Sequence, residues 1–234
     1  MLGSVDCMHW QWKNCPTGLR GQYQGHSKEA TIVLEAVASQ DLWIWHAFFG
    51  MPGSHNDINV LQRSPLFKRL CDGEAPPCNY TVNGHDYTMG YYLADGIYPQ
   101  WAAFVKTISN PTTPKRKAFA AAQESVRKDV ERAFGVLQAR WGIVRGAAMM
   151  WDPEVLWQVM TCCVILHNMI VEDEGEGAAR IDFEKPGEHV HLPEQEAEYV
   201  LQFLEMHRQL RDQVVHTQLL TDLVEHMYVF MGRD

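Results

Sequence analysis

The amino-acid sequence predicts an α/β domain, in which a sheet is flanked by helices, followed by an acidic helical extension. Strand-forming runs alternate with amphipathic helical patterns along the first part of the chain. Of the 234 residues, 46% are hydrophobic and 11% are aromatic, which is enough for one sizeable core. Residues 1–170 carry 15 basic and 14 acidic side chains, whereas residues 171–234 carry 5 and 15. We therefore predict a folded domain over residues 1–174 and an acidic linker with a helical extension over residues 175–234.

The strand-forming runs are concentrated in the first half of the chain. They cover residues 2–6, 30–38, 42–50, 91–94 and 102–108. The third run is apolar at nearly every position, which predicts a central strand covered on both faces. Between the third and fourth runs, a turn-rich stretch contains the letters VNGH at 82–85, which predict a small hairpin.

Helical periodicity is strongest over residues 117–141, where apolar side chains recur every three or four positions. A shorter helix is predicted over residues 56–70, with Ser54 or Asn56 placed to cap it. A third helix is predicted over residues 152–171, because it opens with Asp as a cap and Pro at the first helical position. These helices follow or separate the strand-forming runs, as an α/β domain requires.

Several classes of protein are disfavoured by the sequence. No apolar run reaches the roughly 18 residues of a membrane span, and the N-terminus has no secretory pattern, so an intracellular protein without a membrane segment is expected. The six cysteines form no C-x-x-C pair, which disfavours a zinc or redox site and predicts reduced thiols. Residues 175–193 are predicted to be a polar linker, and residues 194–230 carry a weaker helical pattern.

Three acidic residues stand in contexts that suit a metal-dependent site. Asp6 ends the first strand-forming run, Asp95 follows the fourth, and Glu131 lies on the long helix beside its apolar face. Taken singly, each has a commoner interpretation as a turn, cap or solvated residue. Together they suit phosphodiester cleavage, because carboxylate oxygens bind hard cations and paired cations about 4 Å apart neutralise the reacting oxygens. Such a site requires the carboxyl groups to converge within one coordination shell.

The sequence around each of these acids resembles the three acidic blocks of PIF/Harbinger-type transposases. The blocks read GSVDCMHW at 3–10, YLADGIYP at 92–99 and VERAFGVLQARW at 130–141. The letters ESVRKDVE at 124–131 and LHN at 166–168 extend the resemblance, which covers residues 1–174. Within that family the chain is most similar to the plant branch, which includes active transposases and host proteins domesticated from them.

The resemblance implies a fold, a reaction and a cofactor. It implies a ribonuclease H-like mixed sheet with helices on both sides, and a DDE site in which Asp6, Asp95 and Glu131 bind metal and carry out strand cleavage and transfer. The implied cofactor is Mg²⁺ or Mn²⁺, the implied substrate is duplex DNA such as a transposon end, and the implied location is the nucleus. Residues 1–174 would then be the catalytic domain, with the oligomeric state left open.

Asp57 is the acid that competes with Asp95 as a metal ligand. It lies in the block GSHND at 53–57, which also matches the family. Because Asp and Asn are strongly favoured at helix starts, N-terminal capping is the preferred interpretation and the metal-ligand role ranks second.

A basic stretch surrounds the predicted catalytic glutamate. Residues 103–149 hold nine basic side chains against three acidic ones. Solvated helix faces are the commoner explanation of such runs, but a neighbouring catalytic carboxylate adds weight to phosphate contact. The candidate DNA-binding residues are Lys115, Arg116, Lys117, Arg127, Lys128 and Arg132. The first three also form a short basic cluster that suits nuclear import.

Two functions stay open at this point. The intact acids favour a metal-dependent nuclease or transposase, whereas the acidic tail suits a domesticated, non-catalytic interaction module in chromatin regulation. The chain begins five residues before Asp6, so no upstream DNA-recognition helix-turn-helix is expected within it. Two explanations stay open, a truncated element or gene model, and a protein that borrows a DNA-binding partner, which the resemblance implies would be Myb-like.

Overall fold

The protein is built on a five-stranded mixed sheet. The computed structural model describes residues 1–25, 28–72, 78–175 and 197–232. The strands of the sheet are β1 (Gly3–Gln11), β2 (Thr31–Ala38), β3 (Ile44–Pro52), β6 (Tyr92–Ala94) and β7 (Phe104–Lys106), and β4 (Tyr80–Val82) pairs with β5 (His85–Tyr87) separately. The order across the sheet is β3-β2-β1-β6-β7. The strands β1, β2 and β3 pair antiparallel, whereas β6 and β7 run parallel to β1.

Helices cover both faces of this sheet. They are α1 (Thr17–Tyr23), α2 (Asp57–Arg63), α3 (Pro65–Cys71), α4 (Pro114–Arg140), α5 (Gly142–Arg145), α6 (Pro153–Glu174), α7 (Ala197–Leu210) and α8 (Gln213–Phe230). The predicted class, an α/β fold with a mixed sheet flanked by helices, is confirmed.

Two buried clusters of side chains lie on opposite faces of the sheet. On one face, Leu34 of β2 packs in a buried cluster with Val130 of α4 and Leu156 of α6. On the other face, Val5 of β1 packs with Leu61 of α2 and with residues of α3. The alternation of side chains along each strand therefore assigns α4 and α6 to one layer and α2 and α3 to the opposite layer.

The C-terminal helix α8 contributes to a third buried cluster. Its Leu219 and Leu223 pack with Leu93 of β6, Val105 of β7 and Phe119 of α4. The helix therefore closes the β7 side of the sheet. The predicted linker at 175–193 lies outside the described residues apart from Gly175, and the division at 174/175 stays a prediction.

Two strand predictions were wrong in ways that affect the site. The first strand does not end at Asp6 but continues to Gln11, because Trp10 is buried in the sheet core beyond the acid. The run at 42–50 forms β3, which lies at the edge of the sheet and has alternating burial, with Trp45 53% exposed. The strand buried at every position is β2, since it lies between β1 and β3.

Helix boundaries differ from prediction where capping residues intervene. The predicted helix at 56–70 is two helices, because Ser64 ends α2 and its side chain caps α3 while Pro65 starts the new helix. The long helix α4 begins earlier than predicted, because the Thr113 side chain accepts a hydrogen bond from the Arg116 N–H and Pro114 occupies the first turn. The C-terminal pattern also divides, with Asp212 capping α8.

Other local sequence signals predicted the structure correctly. The hairpin at 82–85 is confirmed, with Asn83 and Gly84 at φ 50° and 81° as a tight two-residue turn requires. The helix start at Asp152-Pro153 is also confirmed. The helix that follows, α6, is long and apolar enough by composition to cross a membrane, the one such helix in the described part of the chain. Its Leu156 and Met160 are buried in the core cluster against the sheet.

Candidate functional site

Asp6 lies in the middle of β1 with its carboxylate directed towards α4. The Cys7 backbone N–H donates to its Oδ1 at 2.8 Å, and Arg127 Nη1 of α4 lies 3.7 Å from its Oδ2. Two residues earlier, the Ser4 hydroxyl donates to the Val126 carbonyl at 2.9 Å. This hydrogen bond holds β1 against α4, and it therefore helps to set the distance between Asp6 and the helix.

Asp95 directly follows β6, which is the strand that pairs with β1. Its Oδ1 accepts a hydrogen bond from the Ile97 N–H at 2.9 Å, which holds the carboxylate in a tight turn. The Gln123 side chain of α4 is buried and its amide donates to the Ala94 and Val105 carbonyls, each at 3.3 Å. Gln123 therefore ties α4 to the ends of β6 and β7 next to Asp95.

Asp57 is the first residue of α2, but it does not cap the helix. The capping bond comes from Asn56, whose side chain accepts from the Asn59 N–H at 2.9 Å. The preferred capping interpretation of Asp57 was therefore wrong, because the neighbouring amide already satisfies the free N–H. The turn before it depends on Gly53, whose N–H donates to the Thr31 carbonyl at 2.8 Å and where a Cβ would collide with the Thr31 side chain.

The three aspartates influence one another electrostatically. The pKa of Asp6 is raised to about 6, chiefly by burial and also by the nearby Asp57 and Asp95, while the Cys7 N–H and Arg127 oppose the shift. Burial also raises the pKa of Asp57, with Asp95 as the largest charged contributor, against a hydrogen bond from the Cys7 thiol. Asp57 of α2 and Asp95 at the end of β6 therefore lie near enough to Asp6 for their charges to act on it.

Glu131 approaches this group from α4, but it is bound to Arg127. Arg127 Nη1 lies 2.9 Å from Glu131 Oε1, while its Nη2 and Nε donate to Glu124 at 2.8 and 3.1 Å. The guanidinium is 11% exposed, against 44% for the Glu131 side chain. Arg127 therefore stands between Asp6 and Glu131, and its pKa is raised chiefly by the hydrogen bonds to Glu124.

The chemistry of the donor set fits a hard divalent cation, but the carboxylates are not closed around one point. In the described part of the chain, no three His, Cys, Asp or Glu side chains are grouped closely enough to hold a metal ion. The contacts explain this arrangement, because an arginine occupies the space between the strand acid and the helix acid. The excess of carboxylate oxygens over positive charge is what Mg²⁺ or Mn²⁺ sites provide.

The predicted DNA-binding residues are distributed along one helix with different exposures. Arg116 and Lys117 are exposed in the first turn of α4, and Lys128 and Arg132 have side chains that are 53% and 58% exposed near Glu131. Lys115 is half-exposed and pairs with Glu225 of α8 at 2.5 Å. Arg127, the sixth member of the predicted set, is buried among carboxylates rather than directed to solvent.

Sequence reasoning missed two residues at this site. Lys106 ends β7 opposite Ala94, and Asp95 acts on its ammonium group, although burial is the larger influence and lowers its pKa. Glu35, in register with Cys7 on β2, is fully buried and its Oε2 contacts His46 at 3.3 Å. Neither residue carries a sequence signal of its own, since each joins the site only through strand pairing.

Comparisons with known proteins identify the family of the chain. Residues 1–178 match the family model described as "Plant transposon protein". The chain is 26% identical over 155 residues to "Protein ALP1-like" of Arabidopsis thaliana, covering 64% of this chain and 37% of that protein. It is 23% identical over 178 residues to "Putative nuclease HARBI1" of Bos taurus, covering 74% of this chain and 46% of that protein.

The chain spans less than half the length of each of these curated relatives. No solved structure gives a significant match. The family match covers most of the chain and includes Asp6, Asp57, Asp95 and Glu131. It confirms the resemblance to Harbinger-type transposases, and the chain belongs to the plant transposon protein family.

Proposed function

We propose that this chain is the catalytic part of a divalent-metal-dependent DNA endonuclease of the transposase type, with a ribonuclease H-like arrangement. The observation that carries the proposal is the position of Asp57 and Asp95 near Asp6, whose pKa is raised first by burial and then by these two neighbouring carboxylates. Buried carboxylates of like charge are costly unless a cation binds them, so their conjunction favours a functional role.

The order of the sheet supports the ribonuclease H-like arrangement. Three antiparallel strands continue into two parallel ones, and the acids stand on the central strand, after the adjacent parallel strand and on the helix that crosses them. This arrangement supplies three rigid anchoring elements for one site. It also distinguishes the site from a surface cluster of acids on a single loop.

Asp6, Asp95 and Glu131 are the proposed metal ligands, with Asp57 as a fourth carboxylate. When bound, Mg²⁺ or Mn²⁺ supplies neutralisation of the charge that develops on the phosphodiester oxygens. The Ile97 N–H orients Asp95, and the Cys7 N–H orients Asp6. These bonds hold the carboxylates before substrate arrives, which limits the reorganisation that accompanies reaction.

The exposed basic side chains of α4 are the proposed contacts for the DNA backbone. Lys128 and Arg132 stand one helical turn or less from Glu131, and Arg116 and Lys117 lie further along the same helix. Such contacts position a duplex without reading its sequence. Lys106, beside Asp95, offers a further ammonium group within the site itself.

The proposal is tested by direct cleavage. Supercoiled plasmid and an end-labelled duplex are incubated with the purified chain and Mn²⁺, and nicked and cut products are measured over time. We expect Asp6→Asn and Asp95→Asn each to lower cleavage at least about 100-fold, because each removes a ligand charge from the site. Asp86→Asn, the same change in the exposed turn region of the β4–β5 hairpin, is the matched control and should cut like wild type.

A specific pair of results would overturn the proposal. If calorimetry shows that Mn²⁺ binds the wild-type chain but cleavage equals that of Asp95→Asn, strand cleavage is not its activity. The thermal unfolding of each variant is measured alongside, so that a loss of cleavage is not confused with a loss of fold.

A further inference from the structure

We propose that Arg127 is an internal counter-ion of the carboxylate site, which occupies the position of the divalent cation and must release Asp6 and Glu131 when that cation binds. This inference rests on the proposed function, because it assigns a resting state to the same site. It assigns Arg127 the role of a displaceable counter-ion of Asp6 and Glu131 rather than a catalytic or DNA-binding role.

The geometry at one nitrogen atom carries the first step. Arg127 Nη1 lies 3.7 Å from Asp6 Oδ2 and 2.9 Å from Glu131 Oε1. Since both oxygens contact the same atom, they are no more than about 7 Å apart. Two oxygens bound to one Mg²⁺, at bonds of about 2.1 Å, are at most about 4 Å apart. A cation bound to both oxygens would therefore need the space beside them that Arg127 Nη1 occupies, and it would exclude the guanidinium.

Burial separates Arg127 from an ordinary surface ion pair. Its side chain is 11% exposed, whereas those of Lys128 and Arg132, its neighbours on α4, are 53% and 58% exposed. A cation removed from water requires compensating charge, and Arg127 obtains it from three carboxylates. Two of these, Glu124 and Glu131, follow from helical spacing alone. The third, Asp6, belongs to β1, and a helix-stabilising role does not explain it.

Glu124 provides the means of release. Its carboxylate receives two hydrogen bonds, from Arg127 Nε and Nη2 at 3.1 and 2.8 Å, and thus holds the fork of the guanidinium. The contacts to Asp6 and Glu131 both depend on the remaining nitrogen, Nη1. Arg127 can therefore give up both catalytic acids while it keeps Glu124, and the exchange requires no movement of α4.

The inference predicts the direction of a metal-binding change. In the wild-type chain the cation competes with Arg127, so removing the guanidinium should tighten binding. We expect Arg127→Gln to lower the Kd for Mn²⁺ about tenfold. If Arg127 were needed to orient Glu131, the same substitution would weaken binding instead, so the two roles give opposite signs.

Isothermal titration of Mn²⁺ into the full chain tests this prediction on wild type, Arg127→Gln and Lys13→Gln. Lys13→Gln removes the same charge from an exposed lysine beyond the end of β1, outside the carboxylate site, and it should change Kd less than about threefold. Arg127→Lys keeps the charge but loses the fork, and we expect an intermediate tightening. Arg127→Lys also tests the prediction if Arg127→Gln fails to fold.

The outcomes separate this inference from the proposed function. Tighter Mn²⁺ binding by Arg127→Gln, with the Kd of Lys13→Gln unchanged, supports the counter-ion role. If wild type binds Mn²⁺ and Arg127→Gln binds it equally or more weakly, the counter-ion role is overturned and the proposed function still stands. Absence of Mn²⁺ binding in every chain, including both arginine variants, overturns both.

Discussion

Two buried aspartate clusters in this protein are constructed in opposite ways. Asp222 of α8 accepts hydrogen bonds from the Tyr87 hydroxyl at 2.5 Å and from Gln218 Nε2 at 3.3 Å, and His85 Nδ1 lies 3.1 Å from its Oδ2. Asp6 of β1 has one backbone N–H on one oxygen and an arginine at 3.7 Å from the other. One carboxylate is surrounded by donors, and the other is surrounded by further carboxylates.

The comparison separates an acid that stabilises the fold from one that is proposed to bind a cation. Asp222 joins the β4–β5 hairpin to α8, since Tyr87 and His85 belong to the hairpin and Asn83 donates to the Asp222 carbonyl. Each of its interactions stabilises the fold as it stands. Asp6 is held in an environment that disfavours its own charge, which a fold does not maintain for stability alone. Stability measurements should therefore move in opposite directions at the two positions.

The largest effect is expected from Asp222→Ala. The substitution leaves the buried Tyr87 hydroxyl without its acceptor and detaches the hairpin from α8, so we expect a loss of about 3 kcal/mol in the free energy of unfolding. Urea denaturation followed by circular dichroism measures it. Tyr87→Phe in the same background should cost far less than Tyr87→Phe alone. Equal costs would show that the two side chains do not depend on each other.

Asp6→Asn should have the opposite sign. Burial and the neighbouring acids raise the folded-state pKa of Asp6 to about 6 from 3.8, so ionisation destabilises the fold as pH rises through that interval. With its side chain 20% exposed, we expect the variant to be more stable than wild type by about 2 kcal/mol at pH 7 without divalent metal. The difference should shrink strongly by pH 4, where Asp6 is protonated in the folded state and about half protonated in the unfolded state.

Thermal unfolding from pH 4 to pH 8 in the presence of a chelator checks this prediction. Asp86→Asn, an exposed aspartate outside the site, should show no comparable pH-dependent gain. A gain in Asp6→Asn that is constant across the pH range would contradict the assignment, because it would not arise from ionisation. Adding Mn²⁺ should stabilise wild type more than the variant, which reverses their order if the site binds metal.

The smallest effect is expected where a charged pair is exposed. Lys115 and Glu225 join α4 to α8 at 2.5 Å, but their side chains are 43% and 44% exposed. Solvent screens such a pair, so Lys115→Ala should cost no more than about 1 kcal/mol, including its contact with the Tyr228 ring. Denaturant titration at low and high salt measures it. A cost as large as that of Asp222→Ala would mean that burial does not determine these energies.

Local signals account for the parts of the fold that could be predicted. The turn at Asn83-Gly84, the start of α6 at Asp152-Pro153 and the apolar face of α4 each depend on residues within one or two turns of each other. The order of the strands in the sheet does not depend on such neighbouring residues. The run at 42–50 is apolar enough for a central strand, yet pairing with β2 alone makes it an edge.

The same distinction applies to the site. The motifs identified Asp6, Asp95 and Glu131 as candidates, and they placed Asp57 second because capping is a common role for an aspartate at a helix start. Asn56 provides the cap in the structure, which leaves Asp57 to interact with the other acids. Two adjacent residues competed for one role, and composition does not decide between them.

The sequence alone predicted the class of fold and the family, and it named candidate acids, because these depend on periodicity and on short motifs. The tertiary structure decided what surrounds each acid. Arg127 and Glu131 are one helical turn apart in any α-helix, but the contact of Arg127 with Asp6 exists only because β1 packs against α4. The balance between carboxylates and counter-ions therefore depends on elements that are distant in sequence, and charge interactions follow distance in space rather than along the chain.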